Sequence, residues 1–303
     1  RKNVCRFHLV KGGRSDYNEN LKLQKVFHEG DDPVRATVLV DNLAGRGLEA
    51  EWGLSFYIEY RDKVILLDAG ASDLFARNAD RLGLDLTNVS FGVLSHAHWD
   101  HANGMDTFFA RNREAVFYLR ESCGETCYDR TEDGWQYEGI RKGLLTEFAP
   151  RLRYVHETYS PLPGVVLLPH TTPGLDQVGL AGNMYRLEGE QWVPDDFSHE
   201  QSLLFSTPKG LVIFNSCCHA GADTIVREAQ AAFPDQPIHA IVGGFHLSQM
   251  DSEEVRAFAR RLAETGVAHV ITGHCTGQAA YDILQEELGD KVRQLSAGLV
   301  IEV

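Results

Sequence analysis

The chain has 303 residues, 43% of them hydrophobic and 24% charged, the make-up of a globular protein with a substantial core. Its net charge of −14 works against nucleic acid, whose phosphates would be repelled, and points to a small-molecule partner. No apolar run reaches the roughly 20 residues that cross a bilayer and no signal-like segment opens the chain, so no membrane partner and a cytoplasmic location are expected. Nothing in the sequence speaks to oligomeric state.

Residues 1–35 are polar and weakly periodic, and they are expected to form an N-terminal extension packed on one main domain, 36–303. From "RATVLVDN" onward, β-branched runs alternate with helical patterns, which predicts an α/β layered fold. "LSFYIEY" and "DKVILLDAG" read as strands joined by a tight turn at Arg61 and Asp62, and "SDLFARNADRLG" as a helix with Ser72 as N-cap and Gly83 as its stop. "FGVLS" is the next strand. Residues 106–200 hold several glycines and prolines with weak periodicity and read as a loop-rich insertion. A regular series of strands and helices comes after it: "GLVIFN", "ADTIVREAQAAF", "IHAIVGG", "SEEVRAFARRLAETG", "AHVITG" and "GQAAYDILQEELG". Asp251 and Glu254 have capping-box spacing before the second of those helices.

Ligands of layered α/β folds gather at the carboxyl ends of strands, so the residues just past each strand are the informative ones. There the sequence places Asp68, His96, His219 in "SCCH", His246 in "FHL" and His274. In "HAHWDH", His96 and His98 lie two apart and can face one cation, while Asp100 and His101 fall on the next turn and can reach a second or orient its water. His219 and His274 are the additions that complete two coordination shells. Imidazole-rich donors suit zinc, two per chain, with manganese or iron also compatible.

Other residues carry two readings. His170 in "LLPHTTPG" is a ligand or a structural histidine. Cys123 and Cys127 are a zinc-binding pair or two ordinary thiols. Cys217 and Cys218 are active-site thiols or packing residues. Asp195 and Asp196 bind cations or belong to a solvated loop. The basic "RNR" at 111–113 is surface, or it pairs with a substrate phosphate. The six cysteines are too few and too irregular for a disulfide framework.

With "LLDAG" before it, "HAHWDH" fits the H-x-H-x-D-H motif, and the chain resembles the metallo-β-lactamase fold superfamily. "TVLVDN", "LSHAHWDHANG", "GLVIFNSCCHAG", "VGGFHL" and "GHCTGQAA" are similar to the branch of 7,8-dihydropterin-6-yl-methyl-4-(β-D-ribofuranosyl)aminobenzene 5'-phosphate synthase and relatives called metal-dependent hydrolases. The resemblance implies a four-layer αββα sandwich with one or two metals at one edge of its sheets. It implies that His96, His98, Asp100 and His101 bind metal directly, with His219 and His274 as the later ligands. Asp68 matches a buttressing aspartate that is not itself a ligand, and His246 a residue facing substrate. Ser216 and Cys218 depart from the branch's G-C-S-H, His199 replaces an acidic position, and Cys217 stands where other members have a metal-bridging aspartate.

The function these observations predict is a hydrolase in which metal-activated hydroxide attacks an ester-like or phosphoester-like small molecule. Asp100 orients the water and His246 protonates the leaving group. The alternatives are a synthase-type transferase taking a phosphorylated or pterin-like substrate, a di-iron redox protein, and a metal-binding protein without catalysis.

Overall fold

The computed structural model describes residues 32–303. The expected N-terminal extension lies outside the described residues except for its last four, of which Val34 and Arg35 open the first strand. In chain order the strands are β1 (Val34–Val40), β2 (Ser55–Tyr60), β3 (Lys63–Leu67), β4 (Val89–Val93), β5 (Val116–Arg120), β6 (Cys127–Thr131), β7 (Gly134–Tyr137), β8 (Leu152–Val155) and β9 (Tyr159–Leu162). Then come β10 (Val165–Pro169), β11 (Met184–Glu188), β12 (Gln191–Pro194), β13 (Gln201–Thr207), β14 (Gly210–Phe214), β15 (Ile238–Gly244), β16 (His269–Gly273), β17 (Val292–Gln294) and β18 (Val300–Glu302).

They form two seven-stranded sheets, β18-β1-β2-β3-β4-β5-β8 and β17-β16-β15-β14-β13-β10-β9, and a four-stranded sheet, β12-β11-β6-β7. The central strands are buried on both faces, so they read as unbroken apolar runs. In β3, Ile65 and Leu67 point between the sheets while Leu66 points at the helices, the two-residue period of a strand. Phe56, Tyr60, Phe205 and Phe214 meet edge to face between the sheets, with ring centres 5.3 to 5.7 Å apart. The helices Leu74–Leu82 and Met105–Arg111 cover the first sheet, and Ala222–Ala232, Ser252–Glu264 and Gln278–Leu288 cover the second. The result is the four-layer αββα sandwich.

The capping box at Asp251 and Glu254 is formed. Gly83 ends the Leu74–Leu82 helix in a left-handed conformation, φ 70°, but Asp73 rather than Ser72 occupies the N-cap position. Ser72 Oγ still accepts from Leu74 N at 3.1 Å, so its hydroxyl serves the helix entrance from one residue further out. The larger difference is at 106–200. That stretch supplies β5 and β8 to the first sheet and β9 and β10 to the second, and most of it is regular. Among the described residues no helix is long and apolar enough to cross a membrane.

Strands β3, β4, β5 and β8 run parallel, as do β14 to β17. Their carboxyl ends therefore share an edge of the sandwich, where the chemistry-bearing side chains collect.

Candidate metal centre

Asp68 leaves β3 with no exposure to solvent. Its carboxylate accepts from Ser95 N and Ser95 Oγ, each at 2.7 Å, and lies 2.8 Å from His101 Nδ1. Because the Ser95 hydroxyl donates to Asp68, its 2.8 Å contact with His96 Nδ1 is an Nδ1–H donating to Ser95 Oγ. Both histidines thus have their Nδ1 protons assigned, which leaves the Nε2 lone pairs free to face inward. His274 obeys the same rule, with Nδ1 3.0 Å from Asn42 Oδ1. Gly104 lets the next helix sit on this loop, since a Cβ there would stand 2.0 Å from the Ala69 carbonyl oxygen.

Two triads result. The ligand nitrogens of His96, His98 and His219 lie within 4.8 Å of one another, with ring centres 4.7 to 4.9 Å apart. In the second triad, Asp100 Oδ2 is 3.4 Å from His101 Nε2 and 3.2 Å from His274 Nε2. A tetrahedral zinc site with bonds of about 2.0–2.1 Å sets its donors roughly 3.3 Å apart, and this triad has that spacing. Among the described residues His96 Nε2, His274 Nε2 and both ring nitrogens of His219 have no hydrogen-bond partner although they are buried. Buried polar atoms are nearly always paired, so these nitrogens fit a bound cation.

The electrostatics agree. Burial, reinforced by neighbouring imidazoles, drives His96 and His219 well below the usual histidine range. Burial and His199 take His98 down to about 4. These rings are neutral donors. At His101 burial opposes a charge, yet Asp100 and Asp68 outweigh it and raise the ring to about 10, so the field there favours a positive charge.

His246 is half-buried, has no partner for Nδ1, and has its ring centre 4.5 Å from that of His219. Cys217 Sγ lies 3.2 Å from His101 Nε2, whereas Cys218 turns into the helix-side core and donates to Asn215 O at 3.4 Å. Five non-glycine residues at or beside the site have positive φ: Asp68 (57°), Phe197 (52°), Cys218 (47°), His246 (53°) and His274 (49°). Each such conformation costs about 1–3 kcal/mol and persists only where the surroundings impose it.

Other candidates stand elsewhere. His170 lies between two carboxylates, Nε2 2.6 Å from Glu200 and Nδ1 2.7 Å from Glu228, so it belongs to a buried ionic stack. His98, Cys127, Asp195 and His199 bring donor atoms within 4.8 Å, but both nitrogens of His199 are engaged. Ala97 N donates to its Nδ1 at 3.1 Å, so Nε2 carries the proton and donates to Asp195 Oδ2 at 3.0 Å. His199 therefore clamps the amide between His96 and His98. Cys123 Sγ donates to the His199 carbonyl at 3.4 Å, and Arg186 pairs with both Asp195 and Asp196. Arg111 pairs with Asp80 near the amino ends of β4 and β5, the far end of the strands from the two triads.

Sequence reasoning passed over Asp41, Asn42, Ser95, Glu200 and Cys275. Asp41 and Asn42 come directly after β1, as the others do after their strands, and Asp41 accepts from His274 N. Glu200, which accepts from His219 N at 3.0 Å, precedes its strand, so a search of carboxyl ends misses it.

Above the triads opens a cavity of about 190 Å³. His98, Asp100, Cys217, His219, His246 and Cys275 form its floor, and Trp52, Trp99, Asp129, Glu138 and Met184 its wall. No lysine or arginine is among the described lining residues. Trp99 Nε1 donates to Glu138 Oε2 at 2.6 Å, and burial beside Glu138 raises Asp129 to about 6.

The family model of the metallo-beta-lactamase superfamily matches residues 53–183, from the approach to β2 up to the start of β11. The solved structure of Tm1679, described as a metal-dependent hydrolase of the beta-lactamase superfamily, aligns with TM-score 0.75 and 29% identity over 89% of this chain and 99% of that one. The match over 53–183 and the alignment with Tm1679 make this chain similar to the metallo-β-lactamase superfamily and give it that superfamily's fold. Another relative is the 7,8-dihydropterin-6-methyl-4-(beta-D-ribofuranosyl)-aminobenzene-5'-phosphate synthase of Methanocaldococcus jannaschii, 27% identical over 89% of this chain and 97% of that protein. The metallo-β-lactamase fold protein YhfI of Bacillus subtilis, at 12% identity and TM-score 0.54 over 90% of this chain and 100% of that one, shares the fold. The superfamily implies bound metal, and the paired triads offer the donors for it.

Proposed function

We propose that this chain is a metal-dependent enzyme of the metallo-β-lactamase superfamily that hydrolyses a small ester or phosphoester. The observation that carries the reading is the convergence of unpartnered imidazole nitrogens with Asp100 at metal-ligand spacing. His96, His98 and His219 would hold one cation and Asp100, His101 and His274 a second, with zinc favoured by the donor set and manganese or iron as alternatives. Such cations supply Lewis-acid activation of water and polarisation of a substrate oxygen.

The chain's own residues do the rest. Asp100, at the cavity floor, orients the attacking water through its carboxylate. His246 holds a proton for the leaving group: burial works against the charge, but Cys275, Asp100 and Asp129 outweigh it and raise the ring above its ordinary value. With two indoles and two carboxylates on the wall, the organic part of the substrate is best a planar group bearing N–H donors, as a pterin does. Any phosphate has no lysine or arginine among the described lining residues to meet it and falls to the cations, with the His246 ring beside them. The reading includes a cytoplasmic setting, where the free cysteines stay reduced.

A synthase-type transfer, with an aromatic amine as nucleophile in place of water, is the second reading. The likeness to the Methanocaldococcus synthase and the aromatic wall favour it. Metal content by elemental mass spectrometry, then phosphate and diphosphate release from a phosphoester panel with and without an aromatic amine, separates the two. Release without the amine supports hydrolysis, and release only with it supports transfer. Metal-loaded protein inert under both conditions would sink both readings.

A further inference from the structure

Cys217 has no part in the two triads, yet it stands between them. Its donor atom lies within 4.8 Å of those of His96 and His101, of His219 and His246, and of His274 and Cys275. It is 3% exposed, on the cavity floor, with Sγ 3.2 Å from His101 Nε2. Its backbone is fixed on both sides: Gly244 N donates to Ser216 O at 2.8 Å, and Cys218 N to Asn215 Oδ1 at 2.8 Å. Cys275 Sγ, 3.5 Å from Cys217 Sγ, is held differently, as the acceptor of His246 N at 3.2 Å. A Cβ on Gly244 would come within 2.6 Å of that second sulfur.

We infer that the Cys217 thiolate is a metal ligand shared between the two triads, and that it biases the centre toward thiophilic cations of the zinc class over manganese or magnesium. The inference rests on the metal-centre reading above. A thiolate is a softer donor than a carboxylate, and soft donors select zinc and cobalt over the oxygen-seeking cations. As the sulfur–metal bond forms, the thiol proton passes to solvent, and no electron is transferred. Cys275, the neighbouring sulfur, groups with His274 of one triad, whereas Cys217 groups with donors of both, so the shared position falls to Cys217.

Full-length protein stripped of metal and titrated with cobalt(II) gives a readout independent of turnover. The d–d bands report cobalt held by histidine and carboxylate, and a near-ultraviolet band reports sulfur-to-cobalt charge transfer. The expected result is both features in the unaltered chain and in Cys275→Ser, with the charge-transfer band lost and the d–d bands kept in Cys217→Ser. Cys217→Asp, which restores a shared donor through oxygen, should keep the d–d bands without charge transfer and raise the share of manganese bound in competition with zinc. A charge-transfer band surviving in Cys217→Ser would overturn the assignment. So would its absence from an unaltered chain that shows d–d bands, and that outcome leaves the metal centre standing. No d–d bands in any variant removes the centre itself and the inference with it. Circular dichroism of each variant confirms that a lost band is not a lost fold.

Discussion

The floor and the wall of the cavity are built on different principles. The floor hangs from the carboxyl ends of parallel strands, and outer partners fix its side chains: Asp68 and Ser95 for His96 and His101, Asn42 for His274. The wall comes largely from the small sheet, where Asp129 lies on β6, Met184 on β11 and Glu138 just past β7. That sheet holds itself together by aromatic contact, Trp135 stacking on Trp192 with ring centres 3.7 Å apart. One region has its geometry dictated by the core, and the other is joined to it at a few points, such as Trp99 N donating to Glu138 O and Ile140 N to Ala97 O.

The largest effect should come from removing the floor's keystone. Asp68→Ala leaves Ser95 N and the His101 imidazole buried without their acceptor and should cost about 3–5 kcal/mol in denaturant unfolding, with metal lost as well. His98→Ala comes next: elemental mass spectrometry should find one cation fewer per chain and activity should collapse, while the metal-free variant unfolds within about 1 kcal/mol of the metal-free parent.

A third, smaller effect is a pH dependence beneath the floor. Against the cost of burial, Glu200 and Glu228 raise His170 from 6.5 to about 9, so the folded chain binds this proton more tightly than the unfolded one. The stack's contribution should be complete below about pH 6.5 and fade as pH climbs through about 9. Unfolding curves of the parent and His170→Gln should converge at the alkaline end, and parallel curves would refute the stack's role. The wall should give the mildest change in stability. Trp52, 49% exposed, and Asp129 can be replaced by Ala and Asn with shifts within about 0.5 kcal/mol and metal content unaltered, while KM rises more than kcat falls.

The same division decides what could be read from sequence. The strand ends carrying Asp68, His96, His219, His246 and His274 were legible because buried parallel strands are continuous apolar runs with sharp stops. The small sheet was not, since its strands are four or five residues long, half-exposed on both faces, and show no clean alternation. β10, "VVLLP", is as apolar as its neighbours but comes after the irregular "YSPL" of β9, and the prolines hid it. His170 and His199 show another limit: a histidine near the candidate metal centre can be wholly occupied by carboxylates or amides, and spacing alone does not tell which.

The left-handed backbone at Cys218, His246 and His274 also sets how these positions can change over generations. Glycine, asparagine and aspartate enter that conformation at little cost, while valine, isoleucine and threonine are barred by their branched Cβ. A saturation library at His246 should therefore recover folded chains mainly through Asn, Asp and Gly, all of which give up the imidazole. No other imidazole is among the twenty side chains, so drift at this position passes through loss of the group before any replacement chemistry can arise.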